Sequence, residues 1–323
     1  MVKTKIFVTR KLPEQVMKQL NNSFEVNVNP YDRVLTKEEI VTGTKKCDIL
    51  LCLLTDKIDE DIITCNKQLK GIVNYAVGIN NIDVKCATRE NIPVTNTPGV
   101  LTETTADMAW ALIFSTARRI VEADNFTRKG KFKGWSPTLL LGADVYGKTL
   151  GIVGAGRIGT AVAKRATGFN MDILYSDEIS VIEKTVSAKK VEFKTLLKKS
   201  DFVSLHVPLL PQTRHLIGER ELKIMKNTAI LINTSRGPVI DEKKLVIALK
   251  ENIIAGAGLD VYENEPEISN DLIELKNVVL TPHTASASAE TRIKMGLIAL
   301  ENALSISQNN RPNQIVNGEI YEK

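Results

Sequence analysis

Thr149-Leu150-Gly151-Ile152-Val153-Gly154-Ala155-Gly156-Arg157-Ile158-Gly159 is the stretch on which the fold turns. A strand-like run enters G-x-G-x-x-G directly, and the motif opens a helix through Arg157 to Ala166. A glycine motif by itself is weak evidence; in the order strand, glycine turn, helix it favours a dinucleotide site. Gly154 would permit the tight turn, Gly156 the close approach of a phosphate and Gly159 the contact of helix with strand. Backbone N–H groups of the Arg157-Ile158 turn, with the helix dipole, would hold a pyrophosphate. The next strand ends at Tyr175-Ser176-Asp177, where a carboxylate can accept hydrogen bonds from ribose hydroxyls and repel a 2′-phosphate. NAD is therefore expected over NADP. An aspartate that merely begins a turn is the alternative.

Downstream and upstream of this motif the chain alternates strands with helices. Leu150 to Val153, Met171 to Tyr175, Phe202 to Leu205, Ala229 to Ile232, Ala257 to Val261 and Val278 to Leu280 read as strands, with helices filling the gaps. Upstream, Ile6 to Thr9, Phe24 to Val28, Ile49 to Leu54, Gly71 to Tyr75 and Pro93 to Asn96 alternate with helical stretches at Glu14 to Leu20, Asp59 to Cys65 and Val84 to Glu90. The expected class is α/β, two doubly wound, Rossmann-like parallel sheets. A length of 323 residues, 43% of them hydrophobic, suits two cores. The first hundred residues hold no glycine fingerprint, so nucleotide binding is expected in the second unit.

Between the two comes a long helical pattern, opened by cap-type residues at Thr102 and Glu103, with Met108, Leu112, Ile113, Ala117 and Ile120 on one face. It is expected to join the domains. Gly130-Lys131-Phe132-Lys133-Gly134-Trp135-Ser136-Pro137 reads as an extended arm. A final helix, Met295 to Leu304, needs an apolar partner, expected at the domain junction.

Composition narrows the function classes. The formal charge of +5 comes from 43 basic and 38 acidic residues. The paired lysines Lys189-Lys190, Lys198-Lys199 and Lys243-Lys244 lie among glutamates and apolar positions, as on solvated helix faces, so no nucleic-acid partner is expected. No run reaches membrane-spanning length, and the amino terminus shows no signal core. Cys47, Cys52, Cys65 and Cys86 lack C-x-x-C or metal-ligand spacing and read as reduced core thiols, so the cytoplasm is the expected compartment. Three histidines without H-x-x-x-H spacing give no reason to expect a metal, and no G-x-S-x-G elbow suggests acyl transfer.

The chemistry is expected from Arg236, Glu265 and His283, each placed just beyond a strand-like run. In an open parallel sheet every strand's carboxyl end opens on one edge, so these side chains would converge beside a bound dinucleotide. Arg236, before the chain break Gly237-Pro238, offers a planar, permanently charged fork suited to a carboxylate; a structural ion pair is its alternative role. His283 follows Thr281-Pro282, with Glu265 as candidate partner. A neighbouring carboxylate favours the imidazolium and fixes its tautomer, which is what a general acid needs. His206 and His215 show no such acid partner and are expected to be structural. The set suits hydride transfer between a nicotinamide and a 2-oxo acid.

These residues resemble the D-isomer-specific 2-hydroxyacid dehydrogenase family over nearly the whole chain. The likeness lies in the fingerprint, in Leu231-Ile232-Asn233-Thr234-Ser235-Arg236-Gly237, in Gly258 to Pro266 and in Thr281-Pro282-His283. Asn74-Tyr75-Ala76-Val77-Gly78 and Asn96 to Thr102 are most similar to the glyoxylate/hydroxypyruvate reductases. The resemblance implies that the amides of Val77 and Gly78 bind the substrate carboxylate together with Arg236 and His283. It implies further that Asp260 meets the nicotinamide carboxamide, that His206 and Pro208 border the adenosine, and that Thr105, Thr213 and Thr234 touch the cofactor. Residues 1–100 and 290–323 would form a substrate-binding domain interrupted by an NAD-binding domain, 101–289. A homodimer is implied, with the long helix and the arm at the two-fold axis. Trp135 would enter the partner's pocket or serve simply as dimer packing. The chain departs from the family pattern at Ile79-Asn80 and at Thr284-Ala285. D-lactate and D-3-phosphoglycerate dehydrogenases are the alternative activities, and an NAD-sensing corepressor is the non-enzymatic one. A formate dehydrogenase is disfavoured, since that branch pairs its histidine with glutamine.

Overall fold

A computed structural model describes residues 3–322. The chain divides into two compact units, one from the described parts of Met1–Leu101 and Ala287–Lys323, the other Thr102–Ser286. In chain order the first unit contributes β1 (Lys5–Val8), α1 (Glu14–Ser23), β2 (Glu25–Val28), α2 (Lys37–Thr44), β3 (Ile49–Leu53), α3 (Glu60–Thr64), β4 (Gly71–Tyr75), α4 (Val84–Arg89) and β5 (Val94–Thr95). The second holds α5 (Thr102–Ala117), α6 (Ile120–Arg128), β6 (Thr149–Val153), α7 (Arg157–Ala166), β7 (Asp172–Ser176), β8 (Lys189–Lys190), α8 (Phe193–Lys199) and β9 (Phe202–Leu205). It continues with α9 (Glu219–Ile224), β10 (Ile230–Asn233), α10 (Glu242–Lys250), β11 (Gly256–Leu259), α11 (Asn270–Ile273) and β12 (Val278–Leu280). Helix α12 (Ala289–Ser307) returns to the first unit.

Both sheets are parallel and helix-covered, which is why their central strands are apolar runs without alternation. β3 and β4 are buried almost throughout, as are β9, β10 and β11. The five-stranded order is β2-β1-β3-β4-β5, and the seven-stranded order β12-β11-β10-β9-β6-β7-β8. This is the doubly wound class expected from the alternation. Helix starts follow capping chemistry: Asp59, Asp83, Asp241 and Ser288 each accept an N–H of the first turn, and Thr36 with Glu39 forms a full capping box on α2.

Three expectations change. The long helical pattern is two helices, broken at Arg119, whose φ of 52° is left-handed; Ile120 lies exposed rather than on the buried face. The break has a tertiary cause. Ala143 N–H takes the Ala117 carbonyl at 2.8 Å, and Arg119 Nη1 donates to the Leu141 carbonyl at 3.2 Å. α12 buries Met295, Ala299, Leu300, Ala303 and Ile306 among the residues of β1, β3, β4 and α1, inside the core of the first unit rather than at a junction. Lys189-Lys190 forms an exposed edge strand, not a helix face, a position where lysines discourage further pairing.

Candidate active site

The register of the seven-stranded sheet sets the geometry. Ser176 pairs with Val153, Val153 with Leu205, Leu205 with Asn233, Asn233 with Leu259 and Leu259 with Leu280. The carboxyl ends therefore lie in one row. The residues that follow, Asp177, Gly154, His206, Thr234 to Arg236, Asp260 and Thr281 to His283, share one edge of this unit. Strand order reverses between β6 and β9, and the glycine motif sits at that switch point.

The three fingerprint glycines are glycine for different reasons. Gly154 has φ +89°, and a Cβ there would lie 2.8 Å from the His206 carbonyl oxygen. At Gly159 a Cβ would sit 2.1 Å from the Gly154 carbonyl oxygen. At Gly156, the N-cap of α7, a Cβ would meet no atom within 4 Å, and φ is an ordinary −68°. Nothing in the fold requires glycine at Gly156. The open space there leaves room for a ligand against the first turn of α7, to which the N–H groups of Arg157 and Ile158 belong.

Asp177 does begin a turn, and that turn fixes its carboxylate. Its Oδ2 accepts from Ala155 N at 2.7 Å, and its Oδ1 from Ile179 N at 2.8 Å and Ser180 N at 2.6 Å. Burial pushes this carboxyl up, but the N–H groups of Ser180, Ile179 and Ala155 outweigh it and hold the pKa below the usual aspartate value. The result is a fixed negative charge beside the glycine turn. With about four lone-pair sites on a carboxylate, three bonds already made leave room for about one strong ribose bond rather than two. A buried hydroxyl without a partner, Thr234 Oγ1, lies at the end of β10. An unmatched buried hydroxyl costs about 1–3 kcal/mol, so it too fits a site completed by a cofactor.

Glu265 and His283 are paired. Glu265 Oε2 lies 2.8 Å from His283 Nδ1, and Glu265 Oε1 accepts from Tyr262 N at 3.0 Å. Burial raises the Glu265 carboxyl, but the hydrogen bond and charge of His283, the Tyr262 N–H and the nearby Arg236 together hold it below the usual 4.5. Because the folded value is depressed, the stability this carboxylate contributes is present above its ordinary pKa and lost as pH falls through the lowered one. Arg236 is half-buried, and burial outweighs the attraction of Glu265 in lowering its pKa; a guanidinium remains charged regardless. Its Nη1 donates to the Ser235 carbonyl at 2.7 Å, and Ser235 in turn is turned inward by Asn233 Oδ1. With Nδ1 held by the carboxylate, His283 presents Nε2 to whatever lies at the edge.

Asp260 holds the loop beside it. It is fully buried, and its carboxylate accepts from Thr281 Oγ1 at 2.6 Å, Thr284 N at 2.8 Å and Ala285 N at 2.7 Å, while its carbonyl takes His283 N at 3.0 Å. It ties down the loop that carries His283, which has φ 53°. Thr213 likewise staples its own loop, donating to the Pro208 carbonyl at 2.6 Å and accepting from Leu210 N at 2.8 Å. Pro208 is exposed on that loop, and Thr105 is buried in the first turn of α5.

The other histidines divide. His206 is held neutral by burial, its pKa pushed down to about 3, with Nε2 2.9 Å from Ser204 Oγ. His215, expected to have no acid partner, has one: Nε2 lies 2.6 Å from Glu263 Oε1. Sequence separation hid it: His215 follows β9 and Glu263 follows β11, and the two meet beside the segment that follows β10.

In the first unit, Val77 and Gly78 follow β4, and Trp135 stands in the second unit at 84% exposure on an arm without helix or strand. Among the described residues no group of side chains could hold a metal ion, and no helix is long and apolar enough to cross a membrane.

A model of the NAD binding domain of D-isomer specific 2-hydroxyacid dehydrogenases matches residues 110–285. A glyoxylate reductase of Korarchaeum cryptofilum is 52% identical over 99% of this chain and 98% of its own. A crystal structure of a Thermus thermophilus protein superposes with TM-score 0.92 and 41% identity, covering 97% of this chain and 99% of that one. The NADPH-dependent glyoxylate/hydroxypyruvate reductase of Sinorhizobium meliloti, in complex with NADP and malonate, gives TM-score 0.86 and 30% identity over 97% of each chain. The chain belongs to the D-isomer specific 2-hydroxyacid dehydrogenase family.

Proposed function

We propose that this 2-hydroxyacid dehydrogenase reduces a small 2-oxo acid, glyoxylate or hydroxypyruvate, to the D-2-hydroxy acid with NADH. The observation that carries this is the 2.8 Å pairing of Glu265 with His283 Nδ1 on the same sheet edge as Arg236 and the glycine turn. The nicotinamide, when bound, supplies the hydride. Arg236 takes the substrate carboxylate and polarises the adjacent carbonyl. His283, held by Glu265 at one nitrogen, gives the proton from Nε2 to the carbonyl oxygen, and in the reverse direction removes it. Gly154, Gly156 and Gly159, with the Arg157-Ile158 amides, seat the pyrophosphate, and the fixed charge of Asp177 favours NADH over NADPH.

In the first unit, the Val77 and Gly78 N–H groups serve as donors to a carboxylate. Exposed Ile120 and Val121 on α6, with Phe132, Trp135, Leu139 and Leu141 on the arm, form the apolar face of a homodimer that works in the cytoplasm. The test is the loss of NADH absorbance with glyoxylate, hydroxypyruvate, pyruvate and phosphohydroxypyruvate in parallel. Highest catalytic efficiency on one of the first two, with NADH preferred to NADPH, is expected. Tight NADH binding without turnover of any of them would contradict the proposal.

A further inference from the structure

Three consecutive peptide groups after β4 are each pinned through the carbonyl. Ala76 O accepts from Thr97 N at 2.8 Å, Val77 O from Asn96 Nδ2 at 2.8 Å, and Gly78 O from Asn74 Nδ2 at 2.8 Å. In a planar trans peptide the carbonyl and the following N–H point in opposite directions. Holding those three oxygens therefore fixes where the N–H groups of Val77, Gly78 and Ile79 point. Among the described residues none of these three N–H groups meets an acceptor.

The two asparagines are themselves held. Asn74 is wholly buried, and its side chain also meets Asn81, whose Nδ2 donates to the carbonyls of Leu53 at 3.0 Å and Asp56 at 3.2 Å. Asn96 is fixed at its backbone, its N–H on the Gln314 carbonyl at 3.3 Å and its own carbonyl taken by Asn302 Nδ2 at 3.2 Å. Side-chain amides spent on loop carbonyls, around peptide N–H groups left without acceptors, make a donor surface set before any ligand arrives.

Resting on the reading that the chain reduces a 2-oxo acid, we propose that Asn96 and Asn74 are positioning residues: they aim consecutive peptide N–H groups, Gly78 foremost, at the substrate carboxylate, and Ile79 N–H is a further donor to it. Asn96 acts most directly, because the Val77 carbonyl it holds shares a peptide plane with the Gly78 N–H.

The experiment compares Asn96→Leu and Asn96→Ala with wild type on glyoxylate and on its uncharged methyl ester, with NADH affinity measured by calorimetry. Loss of one aligned hydrogen bond to the carboxylate corresponds to about tenfold in efficiency. Efficiency on glyoxylate should fall about tenfold, mostly through KM, while the ester and the NADH Kd change by less than about twofold. A purely structural role would lower both substrates together, and that result, or an unchanged acid-to-ester ratio, overturns the inference alone. Wild-type protein that turns over no 2-oxo acid overturns the function reading with it. Independently of the variants, the Gly78 amide resonance of the wild type should shift when oxamate joins the NADH complex, and an unmoved resonance is equally fatal.

Discussion

At the carboxyl edge of the seven-stranded sheet the working groups are side chains: a guanidinium, a carboxylate and an imidazole, each on its own loop. At the carboxyl edge of the five-stranded sheet the groups proposed are peptide N–H groups, aimed by Asn74, Asn96 and the Thr97 N–H through their hold on the neighbouring carbonyls. The difference is one of distribution. A proton donor is a single group and cannot be shared, so its removal is catastrophic. A row of N–H donors spreads its effect over several bonds, each worth about 0.5–1.5 kcal/mol and more where the acceptor is charged.

The sharpest way to break this contrast is His283→Asn. It should lower kcat by about 10²–10⁴-fold with NADH affinity kept, the range for losing a general acid. A loss no larger than that of Asn96→Leu would erase the distinction between the two edges.

A second pair of variants separates glycines that serve the fold from the one that serves a ligand. Gly159→Ala forces a Cβ to 2.1 Å from a backbone oxygen and should cost at least about 1–3 kcal/mol in thermal or denaturant unfolding. Gly156→Ala meets no protein atom within 4 Å, so its unfolding should match wild type while NADH binds about tenfold more weakly. Unfolding data in which the two alanines cost the same would remove the case for a phosphate at Gly156.

Asp177→Ala should narrow the ratio of efficiencies with NADH and NADPH by about tenfold, the equivalent of one charge-assisted hydrogen bond. A wild type that already prefers NADPH would show that the fixed carboxylate does not select the cofactor.

Glu265→Gln is expected to be the subtlest in rate and the clearest in pH. The Glu265 carboxyl is held below its ordinary value, so it keeps its negative charge throughout the neutral range and loses it only in acid. Glu265→Gln takes that charge away from its place 2.8 Å from His283 Nδ1, and the alkaline limb of the reduction profile should move to lower pH. An alkaline limb in the same place would count against the pairing.

How much of this could be seen in the sequence follows the same division. The fingerprint, Asp177, Arg236, Glu265 and His283 announce themselves, because side-chain identity and position after an apolar run carry the chemistry. The pinned peptides at Ala76 to Gly78 could be anticipated only through family likeness: a peptide N–H has no residue type, and its direction depends on Asn96, Thr97 and Asn74 folding beside it. That Asp260 and Thr213 hold their own loops was hidden for a related reason, since an acid or hydroxyl beside a site can hold a loop as well as a ligand. Helix α2 is absent from the helices expected above although the capping box Thr36 to Glu39 marks it, and the break at Arg119 has no glycine or proline to signal it and arises from the Ala143 N–H capturing the Ala117 carbonyl. The partnership of His215 with Glu263 was invisible until strand order placed their loops together.

The most direct measurement is the fate of deuterium carried at C4 of NADH when the protein reduces hydroxypyruvate. With both C4 hydrogens replaced by deuterium, the proposed hydride transfer puts label at C2 of D-glycerate, its oxygen protonated from solvent-exchangeable hydrogen. Label absent from C2, or found in the L-isomer, would contradict it.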